Sequence, residues 1–257
     1  MLVLSTFCGL DLLGRGFQEH DFCVVQAGDI ILGKDIREFK AIAGRFDGVI
    51  GGSPCQDFSR ARRTPPTGQG LEMLGEFERV VMEAQPAWFL LENVPNVPYI
   101  DIDGYHIQRF YLNALECGST QNRHRFFQFG SRDGFVLDIP RQPKPAHAQR
   151  CAMATEGTKT ERRSWDEFCA LQGIEPLSLP DLTQTARYKV VGNAVSLHVS
   201  RTIAAAIKAA LDNPIYAKDV TLCACGCGRR ITGRQKTATD ACRKRLSVNR
   251  RIIKPVS

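Results

Sequence analysis

Short apolar runs closed by turn residues organise the first half of this chain. Residues 2–7, 22–27, 46–50 and 88–91 each read as a buried strand. A loop and a short helix through Gly16 and Phe17 separate the first two. Between the last two, Leu71, Leu74, Phe77, Val81 and Ala84 recur at helical spacing and predict a helix over 71–84. Residues 126–129 form a further short strand. Ser164-Trp165-Asp166-Glu167 is a capping box, so a helix starts at Trp165. A late helix over 198–211 carries Val199, Ile203, Ala206, Ile207 and Ala210 on one face, and Asn213-Pro214 ends it. Residues 131–163 are rich in Pro, Arg, Gln and Thr without a period, as in surface loops or a small irregular lobe. There is no internal repeat. Strands alternating with helices predict an α/β fold with an open, mostly parallel sheet. Ligands in such sheets sit beyond the carboxyl ends of strands, here the loops after Phe7, Ala27, Ile50 and Leu91.

The 257 residues suffice for one sizeable domain and a small appendage. A hydrophobic content of 43% with 24% charged residues is ordinary for a globular protein. No apolar run approaches the roughly 18–20 residues that span a bilayer, so no membrane partner is expected. The first residues lack the basic region of a signal peptide, which predicts a cytoplasmic location. Charge changes the picture. Residues 219–257 hold ten Lys/Arg against Asp219 and Asp240, a net of +8, while the rest of the chain is −1. A tail that carries the whole basic excess suggests a polyanion, nucleic acid first.

The ten cysteines fall into two sets. Six (8, 23, 55, 117, 151, 169) are scattered like reduced intracellular thiols. Cys223, Cys225, Cys227 and Cys242 are clustered in the tail, and four thiolates close a tetrahedral zinc site. Zinc would display Arg229, Arg230, Arg243, Lys244 and Arg245 on a folded knob that grips phosphates. The alternative is a loose basic tail with free thiols.

Within the sheet the chemistry gathers at strand ends. Residues 51–59 read Gly-Gly-Ser-Pro-Cys-Gln-Asp-Phe-Ser, a tight turn that holds Cys55 with its sulfur free to react. Phe7-Cys8-Gly9-Leu10-Asp11 is a small turn that lets backbone approach a ligand. Asp29 and Asp35 are strand-end acids, which suit a ribose or an adenine amine and are as often solvated. Glu92 follows an apolar strand directly, where burial raises a carboxyl pKa and suits it to hold a proton. In Gln121-Asn122-Arg123-His124-Arg125, alternation puts Arg123 and Arg125 on one face, able to hold an anion or a carbonyl oxygen and to lower a nearby thiol pKa.

The order of these motifs, closed by Val191-Gly192-Asn193-Ala194-Val195, resembles the DNA cytosine carbon-5 methyltransferase family over about residues 1–211, in the style of compact phage or prophage members. The resemblance implies a Rossmann-like core that uses S-adenosylmethionine. It implies Cys55 as the nucleophile toward carbon 6 of cytosine and Glu92 as the acid at ring nitrogen 3 and the exocyclic amine. Arg125 would hold the carbonyl oxygen at carbon 2, with Arg123 supporting the site. For the methyl donor it implies Phe7 and Gly9, Asp29 at the ribose, Asp35 with Ile36 at the adenine, Pro54 near the methyl, and Asn193. The partner implied is double-stranded DNA, bound by a monomer. The domains expected are a catalytic core at 1–130, a small target-recognition region at 131–163, a return to the core at 164–218, and a basic, four-cysteine, zinc-ribbon-like module at 219–257.

Asp11 departs from the family by standing where many members have glycine. Asp29 and Asp35 are separated by only five residues where a helix is usual. The stretch of about thirty residues before the Trp165 helix is far shorter than the usual target reader, which implies a short or degenerate target sequence. The rivals are a transfer-RNA cytosine carbon-5 methyltransferase and a non-catalytic nucleic-acid-binding protein on the same scaffold.

Overall fold

The computed structural model describes residues 1–252 except 31, 32, 60, 61 and 63, and leaves aside the side chains of 245 and 248–252. Arg245, expected on the basic knob, thus lies outside the described side chains. A six-stranded sheet carries the fold: β1 (Leu2–Thr6), β2 (Cys23–Gln26), β3 (Gly48–Gly52), β4 (Trp88–Asn93), β5 (His106–Asn113) and β6 (His124–Ser131). Their spatial order is β2-β1-β3-β4-β6-β5. β2, β1, β3 and β4 pair in parallel, and β6 runs antiparallel to both β4 and β5. The sheet is therefore mostly parallel, with β6 reversed. The helices are α1 (Leu12–Gln18), α2 (Gln69–Ala84), α3 (Trp165–Gln172), α4 (Gln184–Asn193), α5 (Leu197–Asp212) and α6 (Asp240–Ile252).

The strands read as continuous apolar runs because both faces of the sheet are covered. Val3, Ile50, Trp88 and Leu90 point to one face, where α1 and α5 pack. Leu4, Val49, Phe89 and Leu91 point to the other and meet α2. The α5 face expected from the sequence is buried throughout. On α2 the buried face is Met73, Leu74, Phe77, Val80, Val81 and Ala84, whereas Leu71 is 59% exposed. Leu71 lies two residues, or about 200°, from Met73 around the helix, so it cannot share the sheet-facing stripe. The segment 184–212 holds an 18-residue window apolar enough for a bilayer, contrary to the expectation that no run is, but 61% of that window is buried inside the protein. It is also broken between α4 and α5, and it serves as core.

Three features bear on the site. Asp11 occupies the left-handed region (φ 49°, ψ 40°), where glycine is the default. Its carboxylate accepts from Gly14 N at 2.9 Å, Ser5 Oγ at 2.8 Å and Gln26 Nε2 at 2.9 Å, so a helix cap offsets the backbone strain. The segment 131–163 is laid across the core. Phe135–Val136 pairs with Ile215–Tyr216, and Gln149–Arg150 pairs with Gln121–Asn122. Its apolar residues Phe135, Leu137 and Ile139 join the main cluster, and Ala152 joins the cluster of α3 and α4. The α3 capping box forms as expected, with Ser164 and Glu167 each satisfying the other's backbone N–H.

Candidate active site

The carboxyl ends of β1, β3 and β4, the loop after β2 and one face of α4 enclose a cavity of about 520 Å3. Phe7, Gly9, Asp29, Asp35, Ile36, Pro54 and Asn193 line it, and so do Cys55, Glu92 and Arg125. Ten of the residues expected at the catalytic and donor sites thus share one space, and the remaining one, Arg123, lies behind it.

β3 runs buried to Gly51, and Pro54 then turns the chain. Cys55 sits in the bridge region (φ −100°, ψ 1°) at the start of the one-turn helix Gln56–Phe58. The β3–β4 register sets Gly52 opposite Glu92. A Cβ at Gly52 would stand 3.0 Å from Glu92 Oε2, so the carboxylate fits because that position lacks a side chain. Glu92 is 8% exposed, and Arg125 Nε reaches its Oε1 at 2.8 Å. Asn93 Nδ2 donates to Ser53 O and Oγ at 3.0 and 2.9 Å, which locks the ends of β3 and β4 together and fixes Cys55 relative to Glu92.

Burial raises the Glu92 carboxyl, opposed by Arg125 and Arg123. Burial raises the Cys55 thiol, Glu92 adds to the rise, and Arg125 and Arg123 pull it down. The resting thiol is therefore neutral near pH 7. Alkylation of Cys55 by iodoacetamide, followed peptide by peptide, should climb with pH and reach its midpoint above the ordinary thiol value. Removing the carboxylate charge with Glu92→Gln should move that midpoint down. A midpoint below about 8.5, or one indifferent to Glu92, would contradict this electrostatic account.

Arg123 acts differently from its neighbour. It is 4% exposed, and its guanidinium donates to Ala152 O at 2.8 Å, Gly192 O at 2.9 Å and Ala194 O at 3.0 Å. Burial, with Arg125 close by, draws its pKa down to about 9. It binds the chain on both sides of Asn193 to the start of β6. Gly192 also packs against the 153–154 backbone so closely that a Cβ would meet Ala154 N at 2.6 Å.

On the donor side, Gly9 N–H donates to Asp29 Oδ2 at 3.0 Å. Arg37 grips Asp35, with Nε 3.0 Å from both carboxylate oxygens, and holds that acid down at about 2. Arg37 also reaches Glu72 Oε1 at 3.0 Å. Lys34, Lys189 and Met73 belong to this lining too, and none of them is among the residues expected from the sequence. Lys189 was findable, because it stands four residues before Asn193 on the same helical face.

A family model described as C-5 cytosine-specific DNA methylase matches residues 18–167. The chain belongs to this family. It is 34% identical over 101 residues to the Type II methyltransferase M.HgiDI of Herpetosiphon aurantiacus, covering 35% of this chain and 33% of that one. It is 28% identical over 182 residues to the Type II methyltransferase M.XorII of Xanthomonas oryzae pv. oryzae, covering 55% and 42%. The chain thus spans about a third to a half of the length of these curated relatives. Among solved structures, it superposes on a DNA modification methyltransferase encoded within an E. coli prophage with a TM-score of 0.60 at 16% identity, over 83% of this chain and 100% of that one. With Spodoptera frugiperda DNMT2 the TM-score is 0.56 at 13% identity, over 81% and 99%. The mixed sheet flanked by helices fits the fold of S-adenosylmethionine-dependent methyltransferases.

The tail cysteines converge. Cys223, Cys225, Cys227 and Cys242 are buried, and their sulfurs lie within 4.8 Å of one another. Cys223 and Cys225 Sγ are 3.5 Å apart, and Cys227 and Cys242 Sγ 3.6 Å apart. Tetrahedral zinc at a Zn–S length of about 2.3 Å sets sulfurs about 3.8 Å apart, so the four residues fit that ion. The knob is docked on the core. Glu116 receives Arg141 at 2.7 Å and Arg229 at 2.9 Å, and Arg230 pairs with Asp138. Arg229 and Arg230, expected to face phosphates, are therefore engaged within the protein. Among the described residues Arg243 pairs with Asp240 of its own helix, and both are largely exposed.

Proposed function

We propose that this chain transfers a methyl group from S-adenosylmethionine to carbon 5 of cytosine in double-stranded DNA. The convergence of Cys55, Glu92 and Arg125 on the cavity lined by the loops after β1 and β2 carries this reading. The cavity suits the donor. Its volume lies in the range of small-molecule sites, Asp29 and Asp35 provide acceptors, and Phe7, Ile36 and Met73 provide apolar wall. When bound, the donor supplies an electrophilic methyl group.

The chain's own residues do the rest. The target base must leave the duplex stack to reach Cys55. Cys55 gives its thiol proton to solvent and, as thiolate, adds to carbon 6; the electron pair moves to carbon 5, which takes the methyl as the methyl–sulfur bond breaks. Loss of the carbon-5 proton to solvent then expels Cys55 as thiolate. Cytosine is a poor electrophile, so covalent addition by a soft nucleophile needs charge neutralisation on the ring. Glu92 holds a proton toward nitrogen 3 and accepts from the amine, a role suited to its raised pKa. Arg125 donates to the carbonyl oxygen at carbon 2. Arg123 holds the Asn193 segment in place.

Purified protein should transfer labelled methyl to duplex DNA and form a covalent complex with 5-fluorocytosine-containing DNA, whose fluorine blocks the last elimination. Methyl transfer to transfer RNA but not to DNA would give the substrate to RNA. No transfer to either would leave a binding protein.

We further propose that Cys223, Cys225, Cys227 and Cys242 hold a structural zinc ion and that residues 219–257 form a zinc-ribbon-like module. Residues 1–130 with 164–218 would form the catalytic core, and 131–163 the reduced target reader. The enzyme would work as a monomer in the cytoplasm. Elemental analysis should find about one zinc per chain. Chelation should release it and expose the four thiols to a thiol reagent, and an intact, metal-free tail prepared under reducing conditions would overturn the assignment.

A further inference from the structure

A second cavity, also of about 520 Å3, lies across α4 from the first. Ala186, Lys189 and Asn193 of that helix face the active-site cavity, while Gln184, Arg187 and Tyr188 face the second. Thr160 and residues 162–165 complete its wall. Three of the lining residues are arginines and none is acidic. Arg163 is paired with Glu156 at 2.9 Å. The other two hold carbonyls: Arg162 Nη1 donates to Lys159 O, and Arg187 Nε to Leu182 O, each at 2.9 Å. Arg162 also neighbours the Tyr188 hydroxyl. Among the described residues no carboxylate pairs with Arg162 or Arg187. Two guanidiniums without a carboxylate partner therefore face the same space.

An aromatic wall stands beside them. Trp165 stacks near Phe168 and tilts against Tyr188 at 5.3 Å between ring centres. Its indole N–H is satisfied by Leu177 O at 3.0 Å, which fixes the ring and leaves no polar requirement toward the cavity. Guanidiniums match phosphate oxygens bidentately, and an indole ring stacks on any nucleobase.

We propose that this cavity binds one nucleotide, with its phosphate on Arg162 and Arg187 and its base against the half-buried ring of Trp165, which the buried Tyr188 backs. The source is either a nucleotide within a DNA strand or a free mononucleotide. Such binding does not depend on methyl transfer.

The chain has two tryptophans, and Trp88 is 0% exposed, so quenching by a ligand reports on Trp165. With the first cavity filled by saturating S-adenosylmethionine, the full-length protein is titrated with 5′-AMP, an eight-residue oligodeoxythymidylate and inorganic phosphate, and calorimetry repeats each titration. Saturable quenching by AMP is expected, absent in Trp165→Phe. Arg162→Gln with Arg187→Gln should raise the half-saturating concentration at least about tenfold with unchanged melting temperature. Both side chains are partly exposed, and the single variants serve should the pair fail to fold. Tighter binding of the oligonucleotide identifies a strand as the source, and equal binding identifies a free nucleotide. Absence of saturable binding in both measurements, phosphate binding as tightly as AMP, or binding unaffected by loss of the arginines each overturns the proposal.

Discussion

Cys55→Ser should lower methyl transfer to duplex DNA by at least about a thousandfold and eliminate the covalent complex with fluorinated DNA. The hydroxyl is nearly isosteric, so folding and donor binding should persist. The loss lies in the chemistry, since a serine alkoxide is far less accessible than a thiolate and the neighbouring Glu92 carboxylate is too weak a base to make one. The pocket already opposes ionisation of the native thiol through burial and Glu92. A hydroxyl would face the same opposition from a much higher starting pKa. Glu92→Gln should lose less, about a hundredfold, because an amide preserves one polar contact to the base but cannot hold the ring proton. Full activity of Cys55→Ser in a labelled-methyl assay would remove the covalent mechanism.

Arg123→Met should destabilise the fold by about 4 kcal/mol, or about 10 °C in melting temperature, and loosen the donor site. Two effects oppose each other. Removing a buried guanidinium relieves its desolvation, which is real here because burial already draws its pKa down to about 9. Against this, the carbonyls of Ala152, Gly192 and Ala194 lose charge-assisted donors. Three such losses at about 1.5 kcal/mol each outweigh the relief. Two of the carbonyls, Gly192 O and Ala194 O, flank Asn193, so the Michaelis constant for the donor should rise more than the turnover number falls. A melting temperature within about 2 °C of the parent would show that Arg123 is not the clamp described.

The legible parts of this chain share a physical cause. β1 to β4 read as apolar runs because α1 and α5 cover one face and α2 the other. β5 does not, since its core positions include Gln108, whose side chain donates to Leu137 O at 2.9 Å and accepts from Leu137 N at 2.7 Å. A buried amide that mimics a strand partner looks like loop sequence. α4 is hidden because its residues divide between two cavities and a packed interface, which erases any single apolar stripe. At the site, residue types at strand ends point to Cys55, Glu92 and Arg125. The contrast between Arg123 and Arg125 is invisible, because alternation assigns both to one face while the carbonyls that capture Arg123 come from segments 29 and 69–71 residues away.

Asp11 shows that a turn can be kept as an angle when its customary letter is gone. The left-handed backbone that glycine usually supplies is here supplied by a carboxylate with three donors. The family match begins at residue 18, beyond this turn, yet Phe7 and Gly9 still reach the common cavity. A pattern search that demands the glycine would pass over a pocket whose geometry is whole, whereas one that asks for a left-handed residue with its own helix cap would find it.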